Sequence, residues 1–307
     1  MNAGFIAVDW GTTRLRAFLI GADGKVLASQ TRDSGVQSVL AGQFPDALRA
    51  CCAEWLAQYP AIPLVMAGMV GSRNGWVEVP YATTPCGVAE LAAACHAMEL
   101  DGHKILLAPG VDTRWPATGQ DRGAYDVMRG EETQVLGLGL MDGLVCLPGT
   151  HCKWVRIEDG RIAAFATFIT GELYAAMSGS FIGRLAEEPP QVHPAAAIAA
   201  VAAHLRGGLS RALFQARSRV LAGDIGGSGV KPYLSALLVE DEISGALDLF
   251  SGFSRVHLVA GEPQLSAYAT ALAARGLMTQ VVDPQIAFLA GLARLLQRSG
   301  HSDNTGK

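Results

Sequence analysis

Two short apolar runs, each ending in Gly-Thr and a polar turn, constrain this chain more than any other feature. The first is Phe5-Ile6-Ala7-Val8-Asp9-Trp10-Gly11-Thr12-Thr13; the second is Val145-Cys146-Leu147-Pro148-Gly149-Thr150-His151-Cys152-Lys153. Each continues in the same way. After the first come an apolar run at 15–20, the reversal Asp23-Gly24-Lys25 and a further run at 26–29. After the second come 154–157, Asp159-Gly160-Arg161 and 162–168. Asp-Gly reversals of this kind join antiparallel strands. Two unrelated hairpins would give the same local signals. The matching spacing instead predicts an internal duplication: two halves, each opening with a three-stranded meander and each offering a glycine turn to the same phosphates.

The length of 307 residues accommodates two domains. Half the residues are apolar and 17% are charged, which suits a large packed core and argues against disorder. A net charge of −4 and a pI near 6.0 give no basic footprint for nucleic acid, so no nucleic-acid partner is expected. An anionic substrate would be held by local donors rather than by a global field. No apolar run is long enough for a membrane span, and the first residues lack a signal-peptide pattern, so a cytoplasmic location is expected. The six cysteines show no Cys-x-x-Cys and no zinc spacing, and read as buried free thiols.

Periodicity predicts a helix over 44–58, a buried strand over 63–69, a loop at 71–76, a helix over 87–98, a strand over 104–108 and a helix over 131–140. In the second half it predicts a helix over 195–205 after a proline-rich loop at 187–194, a strand over 256–260, and helices over 263–275 and 288–297. The tail at 299–307 is expected to fray. Meanders feeding into alternating strands and helices predict an α/β protein with mixed sheets and helices outside.

The strand at 5–8 would deliver Asp9 to its C-terminal end, where open α/β sheets place ligands. A carboxylate there suits a hydrated magnesium ion, and equally it could cap a turn. Gly11 would let the backbone approach a ligand, while Thr12 and Thr13 supply amide and hydroxyl donors for phosphate. In the second turn, Gly149, Thr150, His151 and Lys153 form a further donor set. Cys152 beside Lys153 has no partner base that would make it a nucleophile. Glu131 and Glu132 open a helix, where acids favour the helix dipole; a general base for a hydroxyl is the functional reading. Gly261-Glu262-Pro263, between strand and helix, is placed to cradle a nucleoside. The stretch from Gly223 to Gly229 matches neither a P-loop nor a dinucleotide fingerprint and reads as a flexible loop.

Together, Asp9-Trp10-Gly11-Thr12-Thr13, Gly130-Glu131-Glu132-Thr133, Pro148-Gly149-Thr150-His151-Cys152-Lys153 and Ala260-Gly261-Glu262 resemble the actin/hexokinase/Hsp70 superfamily. With Met66-Ala67-Gly68-Met69-Val70-Gly71-Ser72 and Thr167-Phe168-Ile169-Thr170-Gly171-Glu172-Leu173, the chain closely resembles the 2-dehydro-3-deoxygalactonokinase family within it. The resemblance implies two ribonuclease-H-like (actin-like ATPase) domains with an ATP cleft between them, at 1–138 and 139–298, with a last helix at 284–298 returning to the first domain and a flexible tail at 299–307. It implies ATP-dependent phosphorylation of the 6-hydroxyl of 2-dehydro-3-deoxy-D-galactonate, with ATP and Mg2+ as cofactors. Gly11, Thr12, Thr13, Gly149, Thr150, His151 and Lys153 would serve the phosphates, Asp9 the metal and Gly261 the adenosine. Spacing to Gly139 favours Glu132 as the base, and alignment by the first acid favours Glu131. The substrate carboxylate calls for an arginine, Arg73 first and Arg129 second, with Ser72, Thr170 and Glu172 as further substrate contacts. Trp10 shares the resemblance without a chemical role. The partner expected is a small sugar acid; a homo-oligomer is left open. An exopolyphosphatase-type hydrolase and an actin-like nucleotide switch are the competing readings on the same scaffold.

Overall fold

The structure, a computed structural model, describes residues 3–116, 123–187, 201 and 205–302. The first repeat is an antiparallel meander of β1 (Ala3–Trp10), β2 (Leu15–Gly21) and β3 (Val26–Arg32). β4 (Leu64–Ala67) runs parallel to β1, and β7 (His103–Leu107) parallel to β4. An edge strand, β6 (His96–Leu100), pairs antiparallel with β7 and completes the order β3-β2-β1-β4-β7-β6.

The second repeat has the same plan. β10 (Gly143–Leu147), β11 (Cys152–Glu158) and β12 (Arg161–Phe168) come first, then β13 (Arg255–Val259) parallel to β10 and β14 (Met278–Val282) parallel to β13. Their order is β12-β11-β10-β13-β14. The duplication read from the two Gly-Thr turns is therefore a duplication of topology.

Central strands covered on both faces are apolar at successive positions. Ile6, Ala7 and Val8 accordingly show no exposure. Residues two apart share a sheet face, and Ile6, Val8 and Trp10 join one core with Leu48, Cys51 and Trp55 of α1 (Phe44–Gln58). The stripe expected over 44–58 is the buried face of that helix.

Several elements differ from the periodicity. The helix expected over 87–98 ends early: α2 spans Val88–Ala93, and β6 follows. The cause is Asp101-Gly102, both with positive φ (53° and 84°), a two-residue hairpin turn that pairs Leu100 with His103. α3 spans Glu131–Gly137, shorter than 131–140. The helix expected over 288–297 is longer: α8 runs Pro284–Ser302, so the described part of the expected tail is helical. α8 crosses α3 at two glycines. A Cβ on Gly137 would lie 1.9 Å from the Ala287 carbonyl oxygen, and one on Gly291 would lie 1.9 Å from that of Thr133.

The glycine-rich stretch is not a loop throughout. Gly223 is the left-handed C-cap of α5 (Leu209–Ala222), and Gly227–Gly229 is a 3-10 turn leading into α6 (Val230–Leu249). α4 (Thr170–Gly179), α5, α6 and a small sheet of β5 (Ala82–Thr83), β8 (Val111–Arg114) and β9 (Tyr125–Met128) are elements the periodicity did not anticipate. α7 (Gln264–Ala274) falls within 263–275, with Pro263 as its N-cap. The helix expected over 195–205 lies outside the described residues apart from 201 and 205.

By internal contacts the chain divides into two compact units. One comprises Met1–Met141, Ile157–Ala164 and Gln285–Lys307; the other comprises Asp142–Arg156 and Phe165–Pro284. Among the described residues, no helix is long and apolar enough to cross a membrane.

Candidate active site

In the first unit, β1 ends at a turn built to present donors. Asp9 lies opposite Arg16 on β2 and Ala67 on β4. Arg16 donates to the Asp9 carboxylate. Burial pushes the Asp9 carboxyl above its usual range, and Arg16 opposes that shift. The turn itself is pinned from behind: the Gly11, Thr12 and Thr13 carbonyls accept from Val36, Gln37 and Gly35 at 3.0, 3.1 and 3.2 Å. Thr12 and Thr13 are exposed. The Gly11 N–H is also spent, on the Arg14 carbonyl at 2.9 Å, so the N–H and hydroxyl groups of Thr12 and Thr13 are what the turn offers a ligand.

Trp10 has a role that sequence reasoning missed. It is fully buried, and its Nε1 donates to the Ser34 carbonyl at 2.8 Å, fixing the segment that supports the turn. Its ring meets Phe44 and Trp76 at centroid distances of 5.5 and 6.4 Å. On its backbone side, Gly68 (φ 102°) passes so close that a Cβ there would sit 2.8 Å from the Trp10 carbonyl oxygen. Gly130 (φ 110°) stacks on Gly68 in turn, its Cβ position 3.5 Å from the Gly68 Cα. Only glycine fits these conformations at such an approach. The end of β1, the turn after β4 and the start of α3 thereby meet.

That meeting brings Glu131 and Glu132 into the neighbourhood of the β1 turn, and the two acids differ. Glu132 is completely buried; one oxygen accepts from the Gly130 N–H at 2.6 Å, and Oε1 is buried with no hydrogen-bond partner. Burial, reinforced by Glu131, pushes its carboxyl up to about 8. Glu131 is half-buried, and its Oε2 accepts from the Arg129 N–H at 3.1 Å.

The two candidate arginines also differ. Arg73 is a surface side chain, 85% exposed, with Glu78 at 3.7 Å. Arg129 is held: its Nη2 donates to the Val79 carbonyl at 2.8 Å and its guanidinium lies 4.4 Å over the Tyr81 ring. Its Nε and Nη1 are buried without an acceptor. The Ser72 hydroxyl donates to the Met69 carbonyl at 2.7 Å, so it closes its own turn.

In the second unit, Gly149, Thr150 and His151 are exposed at the β10–β11 turn. The start of α4 is locked onto this turn. Glu172 N–H donates to the Thr150 carbonyl at 3.1 Å, and His151 Nε2 and Glu172 Oε2 share a hydrogen bond of 2.6 Å. A Cβ on Gly171 would lie 2.3 Å from the Gly149 carbonyl oxygen. Lys153 is only 4% exposed, at the second residue of β11, unlike the exposed donors beside it.

Gly11 and Gly149 themselves are unlike these structural glycines. Their Cβ positions would meet nothing closer than 3.7 and 3.8 Å, so the chain's own packing does not require glycine at either. A pocket of about 170 Å³ lies beside the second turn, lined by Gly149, Cys152, Thr170, Tyr174, Pro263 and Tyr268 among others. Gly261, at the end of β13, is exposed; its carbonyl accepts from Leu265 at 3.0 Å in the first turn of α7. The Glu262 carboxylate accepts from the Ser266 hydroxyl at 2.6 Å, in the first turn of the same helix.

Residues 9–295 match the model of a family described as 2-keto-3-deoxy-galactonokinase. The chain belongs to this family. It is 36% identical over 299 residues to a Rhizobium meliloti (strain 1021) protein bearing the name 2-dehydro-3-deoxygalactonokinase DgoK1, covering 94% of this chain and 95% of that one. It is 35% identical over 301 residues to the 2-dehydro-3-deoxygalactonokinase of Escherichia coli (strain K12), covering 95% and 97%. A Sinorhizobium meliloti crystal structure titled for the same activity superposes with a TM-score of 0.84 at 33% identity, covering 95% and 98%. More distantly, the Clostridium difficile activator of 2-hydroxyisocaproyl-CoA dehydratase, solved with bound ADPNP, shares the fold at a TM-score of 0.50 and 12% identity, covering 99% and 98%. The chain is a family member with the actin-like ATPase fold, and it is a carbohydrate kinase.

In this galactonokinase-family chain the end of β1 carries one carboxylate, Asp9, which is paired with Arg16. Among the described residues, no group of three or more His, Cys, Asp or Glu side chains could cage a metal ion. A magnesium ion that keeps most of its waters and takes one carboxylate plus phosphates needs no such cage, and Asp9 fits that description. Sequence reasoning also missed Gly68, Tyr268 and Glu242. The first had a signal, the Gly68 of the Met66 to Ser72 segment; Tyr268 lies in the helix expected over 263–275, and Glu242 lies in a stretch to which the periodicity assigned no element.

Proposed function

We propose that this chain transfers the γ-phosphoryl group of ATP to the 6-hydroxyl of 2-dehydro-3-deoxy-D-galactonate, giving 2-dehydro-3-deoxy-6-phosphogalactonate and ADP in galactonate catabolism. The observation that carries the site reading is the meeting of Trp10, Gly68 and Gly130, which joins the Asp9 turn to the start of α3 where Glu131 stands. Family membership favours this kinase over the hydrolase and the switch.

Thr12 and Thr13 of the first unit, and Thr150 and His151 of the second, donate to phosphate oxygens, while Gly11 and Gly149 let the backbone come close. The burial of Lys153 leaves it to act through its charge rather than by direct contact. The pocket beside Pro263 and Gly149 takes the nucleoside, near Gly261. Asp9 would hold a magnesium ion through water, and the ion would supply charge neutralisation to the phosphates. The 6-hydroxyl oxygen bonds to the γ-phosphorus as the bond to the β-phosphate oxygen breaks, and ADP leaves with that electron pair. The hydroxyl proton passes to Glu131. A base must come within hydrogen-bond reach of the proton it takes, and half-buried Glu131 meets that need where completely buried Glu132 does not. Glu132 instead holds the Gly130 N–H and so the approach to α3. Charge neutralisation and alignment carry most of the acceleration.

Arg129 receives the substrate carboxylate, because its unpaired N–H groups lack an acceptor that the chain does not supply and its fixed guanidinium has little ordering entropy left to lose. The six free cysteines fit a reducing cytoplasm.

Steady-state kinetics test these roles. Glu131→Gln is expected to lower kcat by about 10²–10⁴-fold with little change in the KM for ATP. Arg129→Gln is expected to raise the KM for the sugar acid by about ten-fold or more while leaving that for ATP. A Glu132→Gln variant that loses more kcat than Glu131→Gln would move the base to Glu132. An Arg129→Gln variant with an unchanged sugar-acid KM would remove it from the substrate site.

A further inference from the structure

Behind the second phosphate turn lies a buried polar network that the reaction as described does not use. Its centre is Glu242 on α6, 2% exposed. Its Oε1 accepts from Trp154 Nε1 at 2.8 Å and its Oε2 from the Tyr268 hydroxyl at 2.7 Å. The Thr170 hydroxyl also hydrogen-bonds to it. These partners come from β11, α7 and the first residue of α4, so one carboxylate joins every element that flanks the 170 Å³ pocket.

The network also reaches the turn itself. The Tyr268 hydroxyl lies 3.3 Å from Cys152 Sγ, which approaches the Gly149 carbonyl at 3.3 Å and accepts from the Gly149 N–H at 3.4 Å. A buried carboxylate costs several kcal/mol unless its lone pairs are met. Here donors from three elements, β11, α7 and α4, converge on it. Burial still pushes the Glu242 carboxyl above its usual range, against these donors.

We propose that Glu242 is a positioning residue for ATP: through Tyr268 and Cys152 it sets the Gly149 turn, and through Thr170 it sets the start of α4 against that turn. This rests on the nucleotide reading of the second unit. It places no demand on the sugar acid, whose binding is assigned to Arg129. The conservative variants separate positioning from mere packing. Glu242→Gln keeps the shape but puts an amide N–H₂ against converging donors. Tyr268→Phe cuts only the link from Glu242 to Cys152 and Gly149.

Wild-type turnover of ATP with the sugar acid is the control; its absence would overturn the function proposed above. With that control met, Tyr268→Phe is expected to raise the KM for ATP by about ten-fold, and Glu242→Gln by more, each with the KM for the sugar acid within two-fold of wild type. Direct binding of a non-hydrolysable ATP analogue should weaken in parallel. A lower melting temperature with both KM values unchanged would mean that the network only holds the fold, and would overturn the inference. Should Glu242→Gln fail to fold, Tyr268→Phe decides alone.

Discussion

Two adjacent glutamates illustrate how much depends on single side chains. Glu132 has its carboxyl raised from 4.5 to about 8 by burial and by Glu131. An acid whose folded pKa is raised favours the folded state fully below the unfolded value, near pH 4.5. That contribution is lost as pH rises through about 8, because the unfolded chain ionises first. Replacing Glu132 with Gln removes this dependence. The melting temperature of Glu132→Gln relative to wild type is therefore expected to climb between pH 4.5 and pH 8 and then level off. A difference that stays constant across that range would contradict the burial argument. Spacing favours Glu132 as the base and burial favours Glu131; the sequence cannot separate them, because exposure depends on how Gly130 stacks on Gly68. The two arginines pose the same problem. Nothing in the loop at 71–76 marks Arg73 as solvated, and nothing near Arg129 announces the Tyr81 ring or the Val79 carbonyl that hold it.

At the level of elements, the turns after β1 and β10 are each a glycine turn backed by a helix or 3-10 segment. Their glycines divide into two kinds. Gly149 has open space where a Cβ would go, whereas a Cβ on Gly171 would lie 2.3 Å from the Gly149 carbonyl oxygen. Gly149→Ala is expected to raise the KM for ATP about ten-fold with its melting temperature near that of wild type. Gly171→Ala is expected to cost about 1–3 kcal/mol of stability and melt several degrees lower. Thermal melts and ATP kinetics on the pair check this, and a destabilised Gly149→Ala with normal ATP kinetics would contradict it. The meanders were legible because apolar alternation and Asp-Gly reversals are local signals. The same signal stood at Asp101-Gly102, but the helical spacing of Leu91, Cys95 and Met98 obscured it. The early end of α3 had a local signal: Gly139, directly after the C-cap Leu138, takes a left-handed φ of 66° that stops the helix. The helices α4 and α6 were missed because apolar residues surround them, so period alone did not mark them; α5 is one-sided and lay within reach of the period.

For the whole molecule, duplication is the organising fact. Each half builds the same strand order and ends its first strand at a glycine turn, and the chain belongs to the 2-keto-3-deoxy-galactonokinase family over residues 9–295. Each half then departs from the common plan in what it adds. The first carries Asp9, Arg129 and Glu131; the second carries a pocket backed by Glu242. The central claim is tested most directly by ADP release from ATP in the presence of magnesium, measured with a panel of 2-keto-3-deoxy sugar acids and with none. The account predicts release that depends on 2-dehydro-3-deoxy-D-galactonate and is negligible without a sugar acid. Release at the same rate with no acceptor, or none with any member of the panel, would contradict it.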